Sequence, residues 1–154
     1  GYLRMVRDTA GPHGARIIFI GNGGSAAIAS HMAADYMKNG NMPTLVFNDL
    51  AALTCLSNDL GYEEVFSFPL SYHARLGDVL IAISSSGESL SILNAVKLAI
   101  SKHLNVVTLS GFHPKNKLRG QGGVNFYVPS KEYGTVEIAH LTILHSLLDG
   151  MRKL

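Results

Sequence analysis

The sequence predicts a three-layer α/β fold built on a mainly parallel, five-stranded sheet. Short apolar runs alternate with longer segments of helical periodicity along the whole chain. The runs are almost continuously apolar, as in strands that are buried on both faces. Two polar turns, at residues 21–25 and 84–89, follow the first and third runs. Sheets of this kind bind ligands beyond the carboxyl ends of their strands, so these turns are the first candidates for a site.

Five runs are predicted as strands because they are short, apolar and rich in β-branched residues. They are residues 17–20, 43–47, 79–83, 106–109 and 125–128. Pro43 is acceptable because the first residue of a strand need not donate a hydrogen bond.

Five segments are predicted as helices: residues 25–38, 49–56, 62–75, 90–103 and 134–151. Ser25 and Asp49 are the expected N-caps of the first two. Pro69 should kink the third. The polar residues 58–61 and 110–123 are predicted as loops, and the longer one is expected to be solvated.

Composition excludes several classes of protein. A hydrophobic content of 47% with 16% charged residues argues against disorder, and 154 residues suit one domain. The net charge is only +2, and the basic residues are scattered, which is not typical of a nucleic-acid-binding surface. No apolar run approaches the roughly 20 residues that span a bilayer. We therefore expect neither nucleic acid nor membrane as a partner.

The single cysteine bears on the cellular compartment. One cysteine cannot form an internal disulfide, which fits a reducing environment such as the cytoplasm. The apolar helical surroundings of Cys55 predict a small buried hydrophobe rather than a reactive thiol. We interpret residues 1–154 as a single domain. Residues 1–10 are expected to be the end of an amphipathic helix, with the helical region before it truncated or short.

Both polar turns are suited to anions. At residues 21–25, glycines between a strand and a helix leave backbone N–H groups free at the positive end of the helix dipole. The spacing Gly21-x-Gly23-x-x-Ala26 also fits a dinucleotide fingerprint, which is weak by itself. The four serines at residues 84–89 favour a phosphate monoester instead, although a Ser-rich helix cap remains the alternative. Glu88 would repel phosphate, so it is expected to point outward.

Histidines and carboxylates recur on two helices. His31 and Asp35 are four residues apart and share a helix face. The last helix is apolar around most of its circumference, which predicts burial in the core or in a subunit interface, yet it carries Glu137, His140 and His145. Glu137 and His145 lie about 80° apart around that helix. Two histidines and two carboxylates suit zinc or a metal-free acid/base set. His140 is expected to be structural.

These motifs together resemble the sugar isomerase (SIS) domain, and within it the phosphoheptose isomerases. The resemblance is carried by Gly21-Asn22-Gly23-Gly24-Ser25-Ala26-Ala27, by Ser84-x-Ser86-Gly87-x-Ser89, and by His31, Glu137 and His145 at their spacings. It implies a flavodoxin-like parallel sheet, one zinc ion per site, and a homotetramer whose sites are shared between subunits. It also implies that sedoheptulose 7-phosphate is isomerised to D-glycero-D-manno-heptose 7-phosphate, in heptose biosynthesis for lipopolysaccharide or capsule.

The resemblance also assigns roles to residues. The substrate and its phosphate would be bound by Asn22, Gly23, Gly24, Ser25, Asn58, Asp59, Ser84, Ser85, Ser86 and Ser89. The metal positions fall on His31, Asp35, Glu137 and His145, and the catalytic roles fall on Asp35, Glu137 and His145. The family usually has Glu at the position of Asp35 and Gln at the position of Glu137. Asp35 therefore has a shorter reach than the family's base, and Glu137 adds a negative charge.

Two rival functions remain open on the sequence. One SIS-domain relative associates with the bacterial replication initiator without catalysing isomerisation, so a sugar-phosphate-binding module is possible. Such a module has no need for His31, Asp35, Glu137 and His145 together, which favours an enzyme. The other rival is an isomerase or sensor for a pentose or hexosamine phosphate, because the sequence does not measure the length of the pocket.

Overall fold

The computed structural model describes residues 14–153, so the interpretation of residues 1–10 as a helix lies outside the described part. Five parallel strands form one sheet in the order β2-β1-β3-β4-β5. They are β1 (Ile17–Gly21), β2 (Thr44–Val46), β3 (Val79–Ser84), β4 (Asn105–Ser110) and β5 (Val124–Tyr127). This is the flavodoxin-like strand order, and it confirms the predicted fold class.

Five α-helices cover the two faces of the sheet. They are α1 (Gly24–Gly40), α2 (Leu50–Leu60), α3 (Ser67–His73), α4 (Leu90–Ser101) and α5 (Tyr133–Arg152). Helices α1 and α5 bury apolar side chains against one face, and α3 and α4 do so against the other. Residues 17–20 are fully buried because each face of β1 contacts one of these layers. No helix within residues 14–153 is long and apolar enough to cross a membrane.

Helices α1 and α5 lie side by side. The Tyr36 hydroxyl of α1 donates a hydrogen bond of 2.9 Å to the backbone oxygen of Leu144 on α5, and its ring packs edge-on against Phe19 of the sheet. Burial raises the pKa of Tyr36, so this hydroxyl remains a donor. Further along, Gly40 lies so close to Leu148 that an added Cβ would approach its Cδ1 to 2.9 Å. The contacts fix the register between the two helices that carry the His and carboxylate candidates.

The segment around Pro69 differs from the prediction. The single kinked helix expected at residues 62–75 is a short 3₁₀ turn, Tyr62–Glu64, followed by the separate helix α3. Pro69 is the third residue of α3. A backbone N–H in the first turn has no partner within the helix, so proline is tolerated there without a kink.

Three local predictions are also wrong. Ser25 is inside α1 and is buried, whereas Gly23 occupies the N-cap position without a side-chain cap. Asn58 and Asp59 belong to α2 rather than to a loop. Cys55 is exposed, because α2 buries none of its residues within this chain. The N-cap predicted at Asp49 is confirmed, since its carboxylate accepts the Ala52 N–H at 2.9 Å.

The loop at residues 110–123 was expected to be solvated, and this is also wrong in its central part. Asn116 is 4% exposed and Leu118 is fully buried. Leu118 belongs to the core beneath α4, which draws the middle of the loop back towards the sheet. The loop therefore packs beside the turn at residues 84–89.

The opposite, amino-terminal edge of the sheet is held by a buried ion pair. Asp78 accepts the Arg16 backbone N–H and its guanidinium, each at 2.8 Å, and the Arg75 backbone N–H at 2.9 Å. Asp78 is 1% exposed, so its charge depends on these donors. The bonds tie the start of β1 to the start of β3.

We expect Asp78→Ala to lower the free energy of unfolding by about 3 kcal/mol, because it leaves Arg16 and two N–H groups without their acceptor. Urea denaturation measures the change. Asp149→Ala is the matched control: Asp149 makes an exposed pair with Arg152 at 4.0 Å, so its removal should cost less than about 0.5 kcal/mol. Equal losses in the two variants would contradict the assignment.

Candidate functional site

A cavity of about 210 Å³ lies at the carboxyl edge of the sheet, between the ends of β1 and β3. Here the chain order reverses, because β1 leads outward to β2 while β3 leads to β4 and β5. Such switch points are the usual ligand sites of open parallel sheets. We call this cavity the serine pocket. It is lined by Asn22, Gly23, Gly24, Ser25, Ile83, Ser84, Ser85, Ser86, Ser89, Tyr133 and Glu137.

Residues 84–89, the serine turn, offer many hydrogen-bond donors to the pocket. Ser89 occupies the N-cap position of α4, but its hydroxyl makes no cap bond and is available to a ligand. The Ser85 hydroxyl oxygen is buried and has no hydrogen-bond partner among residues 14–153. A buried hydroxyl without a partner is costly, and a ligand oxygen would satisfy it. With the first-turn N–H groups of α4, the turn suits a tetrahedral oxyanion.

Glu88 points away from the pocket, as the sequence required. Its carboxylate accepts the Lys117 backbone N–H at 2.9 Å and lies 2.9 Å from the Lys117 ammonium. These two contacts lower the pKa of Glu88, which is exposed and stays ionised. The charge is thereby paired outside the serine pocket.

Residues 21–24 form the opposite wall and bring the backbone close to the pocket. A Cβ on Gly21 would approach the Ser25 backbone to 2.6 Å, and Gly23 has a φ of 54°, so both positions require glycine. The Asn22 amide donates to the Ser91 hydroxyl at 3.0 Å and accepts from the Tyr62 hydroxyl at 2.8 Å. Asn22 therefore joins the first polar turn to α4.

Sequence reasoning missed Tyr62, Ser91 and Tyr133. Tyr62 and Ser91 hold Asn22, and Tyr133 lines the serine pocket from the start of α5. These contacts join residues that are far apart in the chain. Single tyrosine and serine residues belong to no motif of recognisable spacing, so their part in the site could not be predicted from the sequence.

Three of the four predicted metal-ligating residues lie together. His31, Asp35 and His145 place one ligand atom each within 4.8 Å of one another. The two Nε2 atoms are 3.3 Å apart, and the Asp35 carboxylate is 3.6 Å from His31 and 3.7 Å from His145. The group, which we call the histidine cluster, is partly exposed on the outer side of α1 and α5. Two imidazoles and one carboxylate are a donor set that zinc accepts.

Glu137 lies apart from the histidine cluster. Its carboxylate packs against Gly24, where an added Cβ would overlap it, and it lines the serine pocket. Glu137 is thus near the N-terminus of α1, which favours a negative charge. Its predicted metal and catalytic roles remain predictions.

Asn58 and Asp59 are exposed near the end of α2 and do not line the serine pocket. Asn58 donates to the Asp59 carboxylate at 2.8 Å. Their predicted contact with substrate remains a prediction.

His140 is fully buried, in agreement with the structural role expected for it. One ring nitrogen lies 3.2 Å from the Ser110 backbone oxygen, to which it donates, and the other ring nitrogen has no partner among residues 14–153. Burial lowers the pKa of His140, and the Ser110 carbonyl offsets this only in part. His140 is therefore neutral in the fold.

His140 makes stability depend on pH. Its folded-state pKa lies below the unfolded value near 6.5, so the unfolded chain binds more protons as pH falls through that value. We expect stability to fall below pH 6.5 by up to about 1.4 kcal/mol per pH unit. His140→Gln, whose amide can still donate to Ser110, should reduce that slope in urea titrations between pH 5 and 8. The exposed control His103→Asn should retain the slope, and an unchanged slope in His140→Gln would contradict the assignment.

Glu137 sets the charge of the serine pocket, because no other lining residue among residues 14–153 carries a formal charge. We expect Glu137→Gln to bind inorganic phosphate more tightly, on the order of tenfold, since it removes like-charge repulsion while keeping the shape. Isothermal titration calorimetry measures the affinity. Asp149→Asn is the control and should change it less than twofold, because Asp149 is exposed near the opposite end of α5 from Glu137. Unchanged or weaker binding in Glu137→Gln would show that the carboxylate does not face the anion.

The fold and the site together define a class: a flavodoxin-like α/β protein with a phosphate-type pocket at its switch point and a histidine–carboxylate cluster beside it. A family model described as "SIS domain" matches residues 9–111. The phosphoheptose isomerase of Colwellia psychrerythraea is 36% identical, over 96% of this chain and 78% of the relative. The structure of phosphoheptose isomerase GmhA from Neisseria gonorrhoeae matches with a TM-score of 0.88 at 30% identity, over 99% of this chain and 84% of that one. The chain belongs to the SIS-domain family.

Another relative and another structure are similar. The phosphoheptose isomerase of Histophilus somni is 34% identical, over 94% of this chain and 76% of the relative. A phosphoheptose isomerase structure from Francisella tularensis has a TM-score of 0.88 at 23% identity, over 99% of this chain and 84% of that one. At 23% identity, the similarity to the Francisella tularensis structure shows only that the two chains share a fold.

Proposed function

We propose that this chain is an aldose–ketose isomerase of the phosphoheptose isomerase type, which converts sedoheptulose 7-phosphate to D-glycero-D-manno-heptose 7-phosphate. Relatives of that name match most of the chain. The observation that carries the proposal is the pairing of two sites in one chain: an oxyanion pocket at the serine turn and an acid/base cluster on α1 and α5.

The separation of the two sites fits a seven-carbon substrate. His31 follows Gly24 by seven residues on α1, so the cluster lies about 10 Å along the helix from the serine pocket. An extended chain advances about 1.2 Å per bond, which gives about 10 Å for the eight bonds from C1 to phosphorus in a heptulose 7-phosphate. A pentose 5-phosphate has six such bonds and spans only about 7 Å. The spacing favours a heptose phosphate over a pentose phosphate.

The serine turn would hold the phosphate, leaving C1 and C2 at the histidine cluster. Asp35 would remove the proton from one carbon and return it to the other through an enediolate, and His145 would act as the complementary acid or base at the oxygens. His145 Nδ1 lies 3.7 Å from the Asp35 carboxylate, so both groups can reach the same substrate carbons and oxygens. Glu137 is the alternative carboxylate for the transfer, but within one chain it lines the serine pocket, so in that role it would have to come from a neighbouring subunit.

Zinc is proposed as the cofactor, one ion per site. His31, Asp35 and His145 fit it by their donor atoms and mutual distances. When bound, zinc supplies polarisation of the carbonyl and stabilisation of the developing oxyanion. The family resemblance implies Glu137 as a fourth ligand. Because Glu137 of the same chain lines the serine pocket, that ligand would come from a neighbouring subunit.

We also propose a homo-oligomer, a tetramer with sites shared between subunits, in the cytoplasm. Helix α2 is rich in apolar residues but buries none of them in this chain, and Leu50 is 74% exposed. On α5, Ile138 is 69% exposed beside the serine pocket. Copies of the chain packed on these faces would cover them. They could also bring Asn58 and Asp59 to a neighbouring site.

The activity is tested by incubating the purified chain with sedoheptulose 7-phosphate and measuring the aldose phosphate formed. We expect turnover that a chelator removes and zinc restores, and we expect His145→Asn to abolish it. His113→Asn, an exposed loop histidine, is the control and should retain activity. If the phosphate ester binds but is not turned over with or without zinc, the alternative hypothesis of a sugar-phosphate-binding module is favoured.

The assembly is tested by sedimentation of the chain and of two variants. We expect Leu50→Glu to shift the mass towards a smaller species, because it would place a charge in an apolar interface. Leu76→Glu is the control, because Leu76 is 81% exposed but lies in the tight turn before β3, outside α2 and α5. A monomeric wild-type chain, or equal behaviour of both variants, would contradict the proposed interface.

A further inference from the structure

The serine turn is held from behind by the loop between β4 and β5, residues 111–123, which we call the buttress loop. Gly111 N–H donates to the Ser85 oxygen at 2.9 Å, and Leu118 N–H donates to the Gly87 oxygen at 3.0 Å. Lys117 adds two contacts to the side chain of Glu88, from its backbone N–H and from its ammonium group to the carboxylate. Three residues of the turn are therefore fixed by a segment that does not line the serine pocket.

These bonds decide which polar groups the turn can offer. The carbonyl oxygens of Ser85 and Gly87 are taken up by the buttress loop, and that of Ser84 accepts the Gly87 N–H at 3.1 Å. Carbonyl oxygens facing an anion would repel it, whereas hydroxyls and N–H groups attract it. Because these three carbonyl oxygens already accept hydrogen bonds, the hydroxyl groups of the turn are left to face the pocket.

Asn116 is the residue around which the buttress loop is built. Its amide nitrogen donates to the Ser110 hydroxyl and to the backbone oxygens of Gly111 and His113, at 2.9 to 3.2 Å. Its amide oxygen accepts the Arg119 N–H at 2.9 Å. Asn116 is 4% exposed, so these partners replace water completely.

The Asn116 amide also packs directly on the serine turn. It occupies the space beside Gly87, where an added Cβ would overlap it, and Gly87 has a φ of 67° that favours glycine. Ser110, which accepts from Asn116, is the register partner of Ser84 across β3 and β4. Asn116 thus contacts the serine turn directly at Gly87. It is also linked to Ser84 indirectly, through its hydrogen bond to Ser110 on the neighbouring strand.

We propose that Asn116 is a positioning residue for phosphate binding, which acts on the ligand through Gly87 and the carbonyls of the serine turn. The inference rests on the proposed function, because it takes the serine turn to be the phosphate site. Asn116 itself lies outside the described lining of the pocket, so its effect on a bound phosphate would be indirect.

Asn125 offers a matched control at the other end of the same loop. Its side chain accepts the N–H groups of Gly120 and Gly122 at 3.0 Å and donates to the Gly122 oxygen at 2.7 Å. It makes as many loop bonds as Asn116 but has no contact with residues 84–89 among those described. Both asparagines can be changed to aspartate, which keeps the shape, removes the amide donors and adds one negative charge in each case.

The experiment measures inorganic phosphate affinity by calorimetry, and KM and kcat for sedoheptulose 7-phosphate, in full-length folded variants. We expect Asn116→Asp to raise the phosphate Kd and the substrate KM by about tenfold or more with kcat reduced less than threefold. Asn125→Asp should change Kd and KM less than twofold. A residue that only maintains the fold would lower the active fraction, and hence kcat, without raising KM.

Two further variants keep the result decisive. If Asn116→Asp does not fold, Asn116→Ser replaces it, with at least a threefold rise in Kd expected. A Kd within twofold of wild type in the folded Asn116 variant, or equal changes in the Asn125 variant, would overturn the inference. Ser86→Ala tests the proposed phosphate site separately. If wild type does not bind phosphate, or Ser86→Ala binds it unchanged, the phosphate site itself is wrong and the inference fails with it.

Discussion

The packing of α1 against α5 is the constraint on which the candidate site depends. The hydrogen bond from Tyr36 to the Leu144 carbonyl and the close approach at Gly40 fix how far one helix is displaced along the other. That register places Gly24 opposite Glu137 and His31 opposite His145. The sheet positions the remaining part of the site, because its carboxyl edge holds the serine turn beside the first turn of α1.

Electrostatics divides the site into two parts. Within the described part of the chain, the lining of the serine pocket offers hydroxyl and N–H donors but no cation, and its single formal charge is negative. Anion binding there depends on the orientation of dipoles rather than on ion pairing, so the backbone must be held accurately. The buttress loop meets that need, because it engages the carbonyl oxygens of the turn. The histidine cluster, which is open to solvent, suits proton transfer and metal binding.

Much of the fold was predictable because buried parallel strands are continuously apolar and their turns are rich in Gly, Ser and Asn. The position of Glu137 was not predictable from its angle on the helix. It shares a face with His145, but eight residues separate them by about 12 Å along the axis, so one stands at the pocket and the other at the cluster. The structural role of Asn116 could not be predicted from the sequence for another reason. A polar loop residue has the same sequence signature whether it contacts water or satisfies a buried backbone.

The most direct test of the account is a crystal structure of the zinc-loaded protein with sedoheptulose 7-phosphate. We expect the phosphate oxygens to lie within hydrogen-bond distance of Ser85, Ser86 and Ser89. We expect C1 and C2 of the sugar to lie beside Asp35 and His145. We also expect anomalous scattering from zinc at His31 and His145. A phosphate bound away from the serine turn, or a reacting end remote from the histidine cluster, would contradict the account.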